Sequence, residues 1–105
     1  MIIALIVLFF AGAFLCNSLP HFISGLMGKP FPTPFSTPRG IGNSSPVVNV
    51  LWGFLNLVIG LLLLSRQPIT VNFYPNLTGL LLGALVMGLQ LASHFGKVQA
   101  GKFSK

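Results

Sequence analysis

The sequence contains no aspartate and no glutamate. That absence excludes paired-carboxylate acid–base catalysis, a carboxylate-oriented histidine, and an oxygen cage for calcium or magnesium. Ion coupling through an intramembrane acid is excluded with them. Cysteine is nearly missing too. Cys16 stands alone, so no intrachain disulfide can form, and it reads as a small apolar helix residue. Charge of either sign is scarce: the charged share is 6% of 105 residues, where a soluble domain carries about 25%.

What is present is apolar. Hydrophobic residues make up 53% of the chain, and the mean hydropathy is +0.88. Such a composition cannot cover a core with a water-facing surface. The expected fold class is an all-α integral membrane protein with three transmembrane helices and a single membrane domain over residues 1–105.

The boundaries follow from the apolar runs and from helix start and stop signals. A helix rises about 1.5 Å per residue, so a hydrocarbon core of about 30 Å needs about 20 residues. The run from residue 1 to Cys16 is too short, which predicts a first helix over about 1–26, kinked near Pro20. It lacks the cationic start and small-residue cleavage pattern of a signal peptide and is expected to be retained. The second helix is predicted over 46–65, with Ser45 as N-cap and Pro46 at the first helical position. An outer loop over 66–76 includes the alternating segment Ile69 to Tyr74, read as extended. The third helix is predicted over 77–95, started by Asn76 and closed by Gly96 and Lys97, with a basic tail over 96–105.

Charge orients these spans. Lys29, Arg39, Lys97, Lys102 and Lys105 fall on one side and only Arg66 on the other, which predicts N-out/C-in topology by the positive-inside rule. The segment 28–45 is then a cytoplasmic loop. Prolines at 30, 32, 34 and 38, interleaved with Phe31 and Phe35, make it too stiff for a flexible linker. An ordered Pro/Gly-rich cap over the helix ends is expected. The triplets beginning at Asn43 and Asn76 match the glycosylation pattern by chance, one being cytoplasmic and the other abutting a helix.

Polar side chains gather at one depth. Asn17 and His21 share a face of helix one; Asn49 and Asn56 lie on helix two, Gln90 and His94 on helix three. They occupy the loop-side half of each span and are the candidate ligand or pore-lining residues. Two stripes continue them: Gly53 and Gly60 with Asn49 and Asn56, and Gly79 and Gly83 with Gln90 and His94. Small residues running into polar ones mark a helix-packing surface. A second candidate site is the loop segment Arg39, Gly40, Gly42, Asn43, Ser44 and Ser45. Glycine amides, a guanidinium and hydroxyls leading into a helix N-terminus suit an anion, although the Walker ending is absent.

These features predict a small homo-oligomeric channel or transporter for an anionic or neutral small solute, since three helices cannot easily enclose an aqueous path alone. The alternative is a non-catalytic scaffold, subunit or lipid-binding protein whose Pro-rich loop docks a protein partner. A haem carrier using His21 and His94 is disfavoured because neither has a carboxylate partner. A membrane-perforating protein is disfavoured by the shaped loop. No enzyme, cofactor or metal is expected. The expected partners are membrane lipids, including anionic headgroups, and further copies of the chain, with no nucleic acid. The expected location is a plasma or inner membrane, crossed several times.

Overall fold

A computed structural model describes residues 2–67 and 73–103. Its elements are α1 (Ile2–Leu26), β1 (Phe31–Pro32), β2 (Asn43–Ser44), α2 (Pro46–Ser65) and α3 (Phe73–Phe103). All three helices are long and apolar enough to cross a membrane. The molecule is an elongated slab of 51 × 25 × 19 Å.

Helix α1 is the centre of the bundle. It packs along both α2 and α3, while α2 and α3 hardly touch each other. Glycine decides how closely they approach. Gly53 and Gly60 of α2 lie against Phe22 and Leu15 of α1, and Gly79 and Gly83 of α3 lie against Leu5 and Phe9. Gly12 and Gly25 return the contact from α1, toward Leu80 and Val50. Without Cβ atoms at these points the backbones meet directly, which supplies dispersion contacts that lipid tails cannot replace. The predicted small-residue stripes are therefore consumed within one chain, holding α2 and α3 on α1.

Burial runs opposite to that of a soluble domain. Asn49, Asn56, Thr33 and His21 are almost wholly buried, whereas Leu51, Leu62, Leu85 and Leu89 are exposed. In hydrocarbon an exposed leucine is solvated, while an amide must find its partner inside the protein.

Local sequence accounts for most helix ends. Ser45 Oγ accepts the Val48 amide and Pro46 occupies the first turn of α2, as the sequence predicts. Helix α1 continues through Pro20 and stops at Gly28, whose φ of 72° places it in the left-handed region. The Lys29 amide reaches back to the Ser24 carbonyl and the Gly28 amide to that of Gly25, a Schellman ending.

Helix α3 departs from expectation at both ends. It starts at Phe73, so Tyr74, Pro75 and Asn76 are helical rather than loop. Pro75 is in the first turn, where a missing N–H breaks no helical bond. Helix α3 also runs past Gly96 and Lys97 to Phe103, so most of the expected basic tail is helix. Gly96 lacks the positive φ that would turn the chain. Beyond it, Val98 is buried and Lys102 Nζ donates to Asn43 Oδ1 at 2.9 Å, anchoring this extension beside the loop. The rest of the segment expected to be extended, 69–72, and Lys105 lie outside the described residues.

The loop folds around two small hydroxyl residues. The Thr33 carbonyl accepts the Ser36 and Gly40 amides, and the Ser36 hydroxyl donates to the same carbonyl at 2.7 Å. Thr33 Oγ1 accepts the Phe35 amide and hydrogen-bonds the Ser44 hydroxyl. Phe31 and Pro32 pair antiparallel with Ser44 and Asn43, closing the loop at its base.

Candidate functional site

Asn49 joins the loop to the bundle. Its Nδ2 lies 3.0 Å from Phe31 O, 3.2 Å from Ser44 O and 3.0 Å from Ser45 O, so one amide group serves both strands and the start of α2. That orientation turns Oδ1 toward His21 Nδ1 at 3.0 Å. An amide oxygen only accepts, so His21 donates from Nδ1 and its Nε2 is left outside this bond. A second pair lies deeper: Asn17 Nδ2 donates to Asn56 Oδ1 at 2.9 Å, and Asn56 Nδ2 donates to the Trp52 carbonyl. The polar residues predicted to share a depth thus connect α1 to α2 pairwise.

Aromatic rings enclose the His21 imidazole. Phe31, Phe95 and Trp52 each meet it edge-on, with centroids 5.6, 6.1 and 6.4 Å away. Phe31 also packs on Phe95 at 4.6 Å, and Phe35 meets Trp52 edge-on at 5.1 Å. The two phenylalanines of the loop therefore hold it against α1, α2 and α3 at once.

Two adjoining cavities open beside this network. A polar one of about 310 Å³ lies beneath the loop, bounded by Asn17, His21, Thr33, Arg39, Trp52 and His94 among others. A second, of about 390 Å³, is an apolar groove between α1 and α3, lined by Phe10, Ala13, Phe14, Val86 and Met87, with Gln90 toward its loop end. Asn17, Leu91 and His94 border both cavities, so the two lie side by side. Cavities of roughly this size hold small ligands.

The six residues expected to line a ligand path separate into two groups. Asn17, His21 and His94 line the polar cavity, and Gln90 lines the groove. Asn49 and Asn56 sit inside the packing, where each amide is already bonded. His94 Nε2 donates to the Gly40 carbonyl at 2.8 Å, tying α3 to the loop.

The loop segment expected to bind an anion is also divided. The Gly40 and Gly42 amides donate to Thr33 and Pro38 carbonyls, so neither faces outward. Asn43 receives Lys102, Ser44 bonds Thr33, and Ser45 caps α2. Arg39 differs from the others. It is exposed at the rim of the polar cavity, and the chain has no acidic side chain to pair with it.

In the sequence Trp52 stands inside the second apolar run, too deep for an interfacial belt residue. In the structure it lines the polar cavity, and its Nε1–H is fully buried without an acceptor among the described residues. Buried indole N–H groups usually find a partner. Thr33, Ser36, Phe31 and Phe95 were also missed as parts of the site. Their only sequence signal was small hydroxyls and aromatics spaced among prolines.

Comparison with protein families, with curated proteins and with solved structures finds no match to this chain.

Proposed function

We propose that this protein is a non-enzymatic, multi-pass membrane protein that binds a small anionic or neutral ligand in the polar cavity beneath its Pro-rich loop. The observation that carries the reading is the convergence of Trp52, His21 and Arg39 on one cavity. Neutral donors and acceptors with a single cation, and no acid nearby, suit an anionic or neutral partner over a cation.

Its topology is N-out/C-in. Lys29, Arg39, Lys97 and Lys102 lie at the loop end of the bundle and Arg66 at the other, and by the positive-inside rule this bias supports a loop and cavity at the cytoplasmic face of a plasma or inner membrane. The cavity then opens at the height of the headgroups, where Arg39 meets anionic lipid.

A second reading is transport or conduction by several copies of the chain. Gln90 favours it: this amide is exposed within a membrane span. Lipid tails cannot bond it, whereas a neighbouring copy or a passing solute can. A loop that docks a protein partner is compatible with either reading.

Trp52 is the only tryptophan in the chain, so its fluorescence reports directly on the cavity. Titration of the detergent-solubilised protein with inorganic phosphate, glycerol phosphate, neutral polyols and short-chain lipids should give a saturable change with at least one of them. No saturable response across that panel would remove the binding reading. Solute-dependent flux in liposomes, together with a discrete oligomer, would favour the second.

A further inference from the structure

We infer that the ligand of this site is an anionic membrane lipid, held with its headgroup in the polar cavity and one acyl chain in the groove between α1 and α3. The inference rests on the binding reading above and names the ligand class.

Three features, met in order along α3, match the parts of such a lipid. At the loop end, Arg39, Trp52 and His94 border the polar cavity. A phosphate fits this end. Its charge meets a guanidinium that no acidic side chain in the sequence can satisfy.

One turn deeper stands Gln90, lining the groove next to the junction of the two cavities. Its side-chain amide makes no hydrogen bond among the described residues, although it lies inside a membrane span. A lipid presents ester carbonyls between its headgroup and its chains, at the depth where this amide needs an acceptor.

Beyond Gln90 the wall becomes wholly apolar. Phe10, Phe14, Val86 and Met87 continue the groove toward the middle of the span. From Phe9 to Asn17 it extends about 12 Å along α1 at the helical rise. That is longer than a headgroup needs and lined as a chain of methylenes requires. A free anion would use the first feature and leave the other two unexplained.

The test uses the full chain in mild detergent, with native mass spectrometry counting the lipid retained. Phosphatidylglycerol, phosphatidylcholine and glycerol phosphate are titrated separately onto the wild type, Arg39→Gln and Val86→Trp. Val86 is exposed in the groove, so an indole there fills it without entering the helix seam.

The wild type should retain one phosphatidylglycerol with clear preference over phosphatidylcholine. Arg39→Gln should reduce that preference about fivefold, the effect of one interfacial cation. Val86→Trp should weaken phosphatidylglycerol while leaving glycerol phosphate unchanged. Equal retention of the two lipids, or a Val86→Trp chain that retains lipid like the wild type, would overturn the inference. Glycerol phosphate bound as tightly as phosphatidylglycerol would overturn it as well but keep the binding reading. Failure of all three probes would remove both.

Discussion

Alanine substitution at Gly79, Gly83, Gly88 and Gly96, four of the glycines along α3, should give graded, opposite effects. Alanine is favoured over glycine in a helix interior by about 1 kcal/mol, so each substitution begins with a gain of that order. What opposes it is what the new methyl meets. At Gly83 the Cβ would stand 1.8 Å from the Phe9 carbonyl oxygen and 2.6 Å from the carbonyl carbon, both backbone atoms of α1. Ordinary contact begins at 3.4 Å, so the helices must part locally by about 1.6 Å. Neither group can rotate away, and the displacement would also open the contact of Gly12 with Leu80 on the same seam. Overpacking of this kind costs about 1–3 kcal/mol, with the rigid case at or above the upper end. The expected net loss for Gly83→Ala is about 2 kcal/mol. At Gly79 the nearest atom is 3.1 Å away, and a few tenths of an ångström suffice, so gain and cost should nearly cancel. At Gly88 the methyl reaches Cys16 Sγ at an ordinary 3.6 Å, and at Gly96 it meets nothing within 4 Å. Both should be stabilised by about 0.5–1 kcal/mol. The assay is denaturant or thermal unfolding in one detergent, followed by circular dichroism. A Gly83→Ala protein as stable as Gly96→Ala would refute the close α1–α3 seam and the placement of α3 with it.

Three further outcomes test the polar network. Asn49→Leu should destabilise the protein by about 2–4 kcal/mol and expose the loop to proteolysis, because it strips a partner from His21 and from the Phe31, Ser44 and Ser45 carbonyls. A loss below about 1 kcal/mol would show that the loop stands without it. Asn17→Leu and Asn56→Leu, combined in a double-mutant cycle, should give a coupling of about 0.6 kcal/mol, typical of an interhelical amide pair in lipid. Strict additivity would mean that the two amides do not meet. Trp52→Phe removes a donor with no partner among the described residues, so stability should change by less than about 1.5 kcal/mol. A loss above about 2 kcal/mol would mean that the indole N–H is bonded in the folded protein.

Composition and local pattern were sufficient for the class and for much of the secondary structure. A chain without acids and with three long apolar runs has only lipid as a workable solvent, whatever its tertiary structure. The ends of α2 were equally legible, because Ser45 and Pro46 act within a single turn. The ends of α3 were not. Asn76 and Gly96 carry the right residue types for stops, but whether a helix stops there depends on what its continuation packs against, and Val98 and Lys102 find the loop.

The candidate site shows the same division. Depth was readable, since it depends only on position along each span, and Asn17, His21, Gln90 and His94 do line the cavities at the loop end. Partnership was not, because it depends on how each helix is rotated about its own axis. Only the packed structure separates Asn49 and Asn56, bonded inside the bundle, from Arg39 and Gln90, which have no hydrogen-bond partner among the described residues. The central position of α1 was equally hidden: the glycine stripes announce close contact but do not say with which helix. The solvent was written in the sequence because every residue contributes to it independently. The groove, the orphaned indole and the loop closed around Thr33 arise from contacts between distant residues, and those exist only once the three helices have packed.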